Sequence, residues 1–184
     1  LWCLYRWDSV CSQEARHHTK KKRPVYKERC LKKRSLYLKQ IEEIPEDQLV
    51  YVDESGIDSF LHRPYGWSFR GQVIYGEVSG KRYARESFIA AKCGHRILSP
   101  FCYQGTCTTA LFNMWVQKFL VPALRPGQYV ILDNATFHKS EETRDLIKKA
   151  KCYLLFLPPY SPDLNPIETF WANLKQKINT LIQH

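Results

Sequence analysis

Three stretches, "LVYVDES" (49–55), "QYVILDNA" (128–135) and "YLLFL" (153–157), are nearly continuous apolar runs. A strand can be apolar on successive residues only where both of its faces are covered, so these runs predict a sheet sandwiched between helices. The intervening segments supply the partners. After a turn-rich "RPYGWSFRG", β-rich stretches at 72–79, 83–91 and 96–103 predict an antiparallel meander built on the first strand. "TTALFNMWVQKFLVPAL" has Leu111, Trp115 and Phe119 at helical spacing, with Thr108 or Thr109 placed to cap it. Ser140 precedes "EETRDLIKKAK", whose acids open and lysines close the helix as its dipole favours. A last helix carries Ile167, Phe170, Trp171, Leu174, Ile178 and Leu181 on one face. The order predicts an α/β mixed sheet with helices on its faces.

Charge divides the chain differently. Twelve of the 28 Lys/Arg and three of the 18 Asp/Glu fall in residues 1–40, so this segment holds +9 of the net +10. Residues 1–44 therefore read as a basic arm suited to phosphate backbones, ahead of a nearly neutral domain at 45–184. Lys20, Lys21, Lys22, Arg23, Lys32, Lys33 and Arg34 are its candidate phosphate contacts. Within the arm, Leu31, Leu38 and Ile41 fall loosely on one side of a helix that Pro45 ends. In the domain, Trp67 with Arg63 and Arg70 could stack on a base and hold its phosphate. The seven cysteines include no C-x-x-C pair, and a zinc site drawn from Cys93, His95, Cys102 and Cys107 matches no standard spacing. No apolar run is long enough to cross a membrane as a helix.

Two of the apolar strands end in aspartate, at Asp53 and Asp133, and a third carboxylate, Glu168, opens the last helix after four prolines. Asn165, Pro166 and Glu168 alone make an ordinary helix start, in which Glu168 would reach back to the Asn165 amide. Three carboxylates brought together repel unless a cation lies among them. All-oxygen ligands suit Mg2+ or Mn2+, and two such ions can activate a hydroxyl and stabilise the leaving oxygen in phosphoryl transfer. With the basic arm, that chemistry points to nucleic acid.

The blocks "VYVDESGID", "VILDNATFHKS" and "LLFLPPYSPDLNPIETFWANLK" resemble those of the DDE transposases, most closely the insertion-sequence 630 branch of the superfamily that includes the mariner elements. The resemblance runs from about residue 20 to the end, and positions 134–167 give the 34-residue gap between Asp133 and Glu168 that this superfamily favours. It implies a ribonuclease-H-like fold in which Asp53, Asp133 and Glu168 bind two Mg2+ or Mn2+ ions and are catalytic. It also implies cleavage of DNA at the element ends, then attack of the freed 3′-hydroxyl on target DNA, commonly at TA. The working complex would be a homodimer on DNA, in a bacterial cytoplasm close to the nucleoid. Asn134 and His138 match the second block as supporting residues, with contacts to DNA or water, or a plain turn, as alternatives. Glu54, Asp58 and Asp163 match no catalytic position, and Asp163 reads as a turn residue. The helix-turn-helix modules of full-length relatives are not seen, which makes a truncated chain the expectation. A non-catalytic DNA-binding remnant, or a ribonuclease H or resolvase on the same fold, are the competing readings.

Overall fold

The computed structural model describes residues 26–58, 68–73, 75 and 85–182. Its sheet has the order β3-β2-β1-β4-β5, with β1 at Leu49–Asp58, β2 at Arg85–Cys93, β3 at Arg96–Gln104, β4 at Tyr129–Leu132 and β5 at Tyr153–Phe156. β1, β2 and β3 form the expected antiparallel meander, while β4 and β5 run parallel to β1. The strand expected at 72–79 lies mostly outside the described residues. Gln72, Val73 and Tyr75, which are described, are exposed and belong to no strand.

Alternation along β1 sorts its residues onto two covered faces. Val50 and Val52, with Ile89, Ala91, Val130 and Leu132, pack under Phe112, Trp115, Val116 and Leu120 and under Ile147. Those come from α2 (Thr109–Trp115), the π-helical turn Val116–Leu120 that continues it, and α4 (Glu141–Lys149); the short α3 (Val121–Ala123) follows the π turn. Pro122 has no N–H to return to the carbonyl four residues back, a reason for the regular ladder to loosen here. Thr108 and Ser140 cap α2 and α4 as expected, their hydroxyls accepting from Leu111 N and Thr143 N at 3.3 and 3.1 Å.

The opposite face is shared by α1 (Leu31–Glu42) and α5 (Ile167–Ile182). α1 is not a free arm: Tyr37, with Ile41 and Ile44 beside it, packs on Leu49, Tyr51, Ile131 and Leu157. The anchoring stripe is 37/41/44 rather than Leu31, Leu38 and Ile41, and both leucines are exposed. The aromatic ring at 37 outweighs the leucine spacing because it is the side chain that fills the gap over Tyr51. At the other end Ile167 and Trp171 of α5 close on Ala90 of β2, while Leu181 points to solvent.

Ala90 is fully buried and pairs across the sheet with Asp53. Its small side chain is what lets the start of α5 lie close to β1. Ala90→Leu should therefore cost about 1–3 kcal/mol by overpacking, read as a lower urea midpoint with an unchanged slope. The same substitution at exposed Ala172 should leave the midpoint in place.

Candidate active site

β1 and β4 are in parallel register, with Tyr51 opposite Ile131. Two residues further along each strand stand Asp53 and Asp133, side by side where the parallel strand ends open a crevice. α5 then brings Glu168 over them through the Ala90 contact. The three carboxylates line one cavity of about 340 Å³ with Asn134, Asn165, Pro158, Tyr26 and Tyr160.

The carboxylates act on one another electrostatically. Burial, then the charges of Glu168 and Glu54, push the Asp53 carboxyl up to about 8, with Asp133 adding to the shift. Among the described residues, no three His, Cys, Asp or Glu side chains are drawn tight enough to grip an ion as placed. The donor set nonetheless fits a hard divalent cation: three carboxylates that repel one another, and the Asn165 side-chain oxygen, buried beside them without a hydrogen-bond partner. The backbone at the start of α5 departs from the ordinary helix-start pattern. The Asn165 amide donates to the Pro162 carbonyl at 2.9 Å, so it is already engaged, while the Glu168 amide donates to the Asn165 carbonyl at 3.2 Å. Glu168 thus opens α5 through its backbone and faces the cavity with its carboxylate.

His138 is fully buried between the rings of Phe112 and Phe137, at centroid distances of 4.3 and 4.2 Å. Its Nδ1 lies 2.6 Å from Asp133 Oδ1 and its Nε2 lies 2.9 Å from Glu54 Oε1. Two carboxylate acceptors require two donors, so the imidazolium form fits. Burial alone would lower the His138 pKa, but hydrogen bonds to Asp133 and Glu54 carry it up to about 9. Asp133 is also partly desolvated, yet the bond from His138 and the Ala135 N–H, 2.8 Å away, hold its carboxyl below the usual range. The side-chain amide of Asn134 donates to the Leu157 carbonyl, tying the end of β4 to the end of β5.

His138 is therefore out of reach of DNA, against one of the roles open to it from sequence. Glu54 matches no catalytic position in the sequence, yet it holds His138. As the neighbour of Asp53 on β1 it points to the opposite face, and only the 3-10 turn Thr136–Lys139 brings His138 to it. Adjacent "DE" at a strand end was the one available signal.

Of the DNA-contact candidates, Lys32 and Lys33 are exposed on α1 and Arg70 is exposed in a turn. Arg34 has a partner within the fold. Its guanidinium makes a two-pronged bond to Asp163 at 2.9 and 2.7 Å, fastening α1 to the proline-rich loop. Asp163 is accordingly more than a turn residue. Lys20, Lys21, Lys22, Arg23, Arg63 and Trp67 lie outside the described residues. Of the residues from which a zinc site could be drawn, Cys93 donates to the Asp47 carbonyl and Cys102 is exposed. Among the described residues no helix is long and apolar enough to cross a membrane.

The mixed sheet, with three carboxylates at the meeting of two parallel strand ends and a helix start, is a ribonuclease-H-like architecture. The Mos1 mariner paired-end complex with Mg superimposes with a TM-score of 0.69 at 18% identity, covering 89% of this chain and 54% of that one. The Mos1 strand transfer complex does so at 0.68, with 18% identity and coverage of 89% and 53%. The sequence pattern of the DDE superfamily endonucleases matches residues 48–183, and the chain belongs to that family. Tc3 transposase of Caenorhabditis elegans is 57% identical over 102 residues, 55% of this chain and 28% of its own length. An uncharacterized 39 kDa protein of insertion element IS630 from Shigella sonnei is 27% identical over 138 residues, 72% of this chain and 39% of its length. This chain thus spans between a quarter and two fifths of those relatives. They come from an animal and a bacterium, so the match does not carry the expected bacterial origin.

The raised Asp53 carboxyl has a stability consequence with a fixed sign. Its folded value of about 8 exceeds the ordinary 3.8, so its favourable contribution is present below pH 3.8 and is lost as pH rises through about 8. Without divalent ions, Asp53→Asn should melt increasingly above wild type as pH goes from 4 to 8, followed by thermal unfolding. Equal pH dependence of the two proteins would show that Asp53 is not held among the other carboxylates.

Proposed function

We propose that this chain carries the catalytic domain of a transposase, cutting DNA at the ends of a mobile element and joining the freed 3′-hydroxyl to target DNA. The observation that carries the reading is the convergence of Asp53, Asp133 and Glu168 on one cavity in a DDE-family fold. Mg2+ or Mn2+, two ions on this reading, would supply Lewis acidity and a more acidic water or sugar hydroxyl. Asp53 and Asp133 would hold them from the sheet, and Glu168 from the start of α5. The fold supplies the rest. His138 keeps Asp133 Oδ1 engaged, Glu54 fixes the imidazole from the far side, and Asn134 ties the end of β4 to the end of β5. Water and then a 3′-hydroxyl would attack phosphorus directly, so no side chain needs to bond to DNA.

Residues 45–184 would form the catalytic unit, with α1 as a brace docked on it and the basic segment ahead of it contacting phosphates. Lys32, Lys33 and Arg70 remain candidate contacts. A homodimer holding two element ends, a TA target and a place beside the cell's DNA complete the reading.

The decisive assay is nicking of supercoiled plasmid and strand transfer of oligonucleotides carrying the element's ends, with Mg2+ or Mn2+. Asp53→Asn, Asp133→Asn and Glu168→Gln should each fall to the rate without protein. Activity surviving all three would remove the triad assignment. An inactive wild type that still binds DNA in a salt-sensitive way would instead mark a DNA-binding remnant. For the support behind Asp133, His138→Gln and Glu54→Gln should weaken Mn2+ binding about tenfold or more, while DNA affinity at low salt stays at the wild-type level.

A further inference from the structure

Tyr26 and Tyr160 stand on the rim of the carboxylate cavity, 54% and 55% exposed, with ring centroids 5.9 Å apart and planes tilted by 44°. They come from distant parts of the chain, one ahead of α1 and the other in the proline-rich loop. The segments that carry them are tied together. Arg34 clamps α1 to Asp163 with two short bonds. Within the loop, Ser161 is buried and donates to the Pro159 carbonyl at 3.1 Å, and the Leu164 amide returns to the Ser161 carbonyl at 3.1 Å.

Tyr160 itself sits at φ 54, a left-handed conformation that strains a residue with a large side chain. Such strain persists only where the surroundings over-determine it, and here a run of prolines and an ion pair do so. The result is an exposed aromatic ring held beside three carboxylates. Its burial in the protein core is not what the strain achieves.

We propose that Tyr26 and Tyr160 form a stacking platform for an unpaired nucleobase next to the phosphodiester held over Asp53, Asp133 and Glu168. The proposal rests on the reading of those carboxylates as the site of phosphodiester chemistry. Two rings already tilted toward each other at the cavity mouth offer a π-face to any base, so the platform is tolerant of sequence and selective for unpaired ends. A base drawn out there would hold its adjoining phosphate at the carboxylates, and a fully paired duplex could not use it.

The test uses the full chain with Ca2+, a hard cation for oxygen sites, and two probes: a blunt duplex, and the same duplex with a short 3′ thymidine overhang carrying one 2-aminopurine. Wild type should bind the overhang probe more tightly and quench its fluorescence. Tyr26→Leu and Tyr160→Asn, the latter suited to a left-handed backbone, should each weaken overhang binding about tenfold and relieve the quenching, with blunt-duplex affinity changed less than about twofold. Tyr26→Phe and Tyr160→Phe should behave as wild type. Unchanged binding in the Leu and Asn variants overturns the platform, as does equal loss in the Phe variants, which would mark a hydroxyl contact to phosphate. Mn2+ binding by wild type and Asp53→Asn, measured without DNA, decides separately whether the carboxylate reading itself stands.

Discussion

Repulsion among carboxylates is the constraint around which the fold is arranged. Asp53 sits among Glu168, Glu54 and Asp133, and burial with their charge lifts its carboxyl to about 8. Nothing in the packing of a three-layered α/β/α domain calls for such a cluster; its free energy works against the fold. The cluster persists because rigid elements impose it: the parallel register of β1 and β4 fixes the two aspartates, and the Ala90 contact fixes the start of α5. A site assembled this way needs little rearrangement to take a doubly charged ion, since the backbone geometry has already concentrated the negative charge.

The sheet also separates the jobs of neighbouring residues. Asp53 and Glu54 are adjacent in sequence and face opposite sides. One meets α5; the other meets His138 under the apolar layer of Phe112 and Phe137. The imidazolium therefore links the two faces around the end of β4, with a carboxylate at each ring nitrogen. A buried cation with two anionic partners keeps Asp133 ionised where burial alone would favour its neutral form, an effect opposite in sign to that on Asp53. Two aspartates at adjoining strand ends are thus held in different electrostatic states by their second neighbours. Such pairs of environments are a recurrent mark of catalytic sites.

The strands that carry Asp53 and Asp133 could be read from sequence because burial on both faces leaves an uninterrupted apolar run, and Thr108 and Ser140 because caps act over three residues. The site residues that could not be read depend on contacts between distant segments. Glu54 looks like a bystander until His138, 84 positions later, reaches it. Arg34 looks like one more charge in a basic block until Asp163, 129 positions later, takes both of its terminal guanidinium nitrogens. α1 shows why composition misleads: a helix with exposed leucines is held by Tyr37, whose fit against Tyr51 and Ile131 has no periodic signature.

The proline-rich loop is where these contacts meet. Four prolines restrict the backbone ahead of α5, yet stiffness alone would leave the loop free to swing as a unit from the end of β5. Three attachments remove that freedom: the Asn134 amide on the Leu157 carbonyl, Arg34 on Asp163, and Ile167 in the pocket beside Ala90. Each lies near a residue lining the cavity, at Asn134, Tyr160 and Glu168 respectively. The segment that begins α5 therefore fixes a carboxylate, an unpartnered Asn165 oxygen and an aromatic ring by the same few contacts. Loosening any one attachment would move all three together, which gives the loop a functional constraint along its whole length rather than at Glu168 alone.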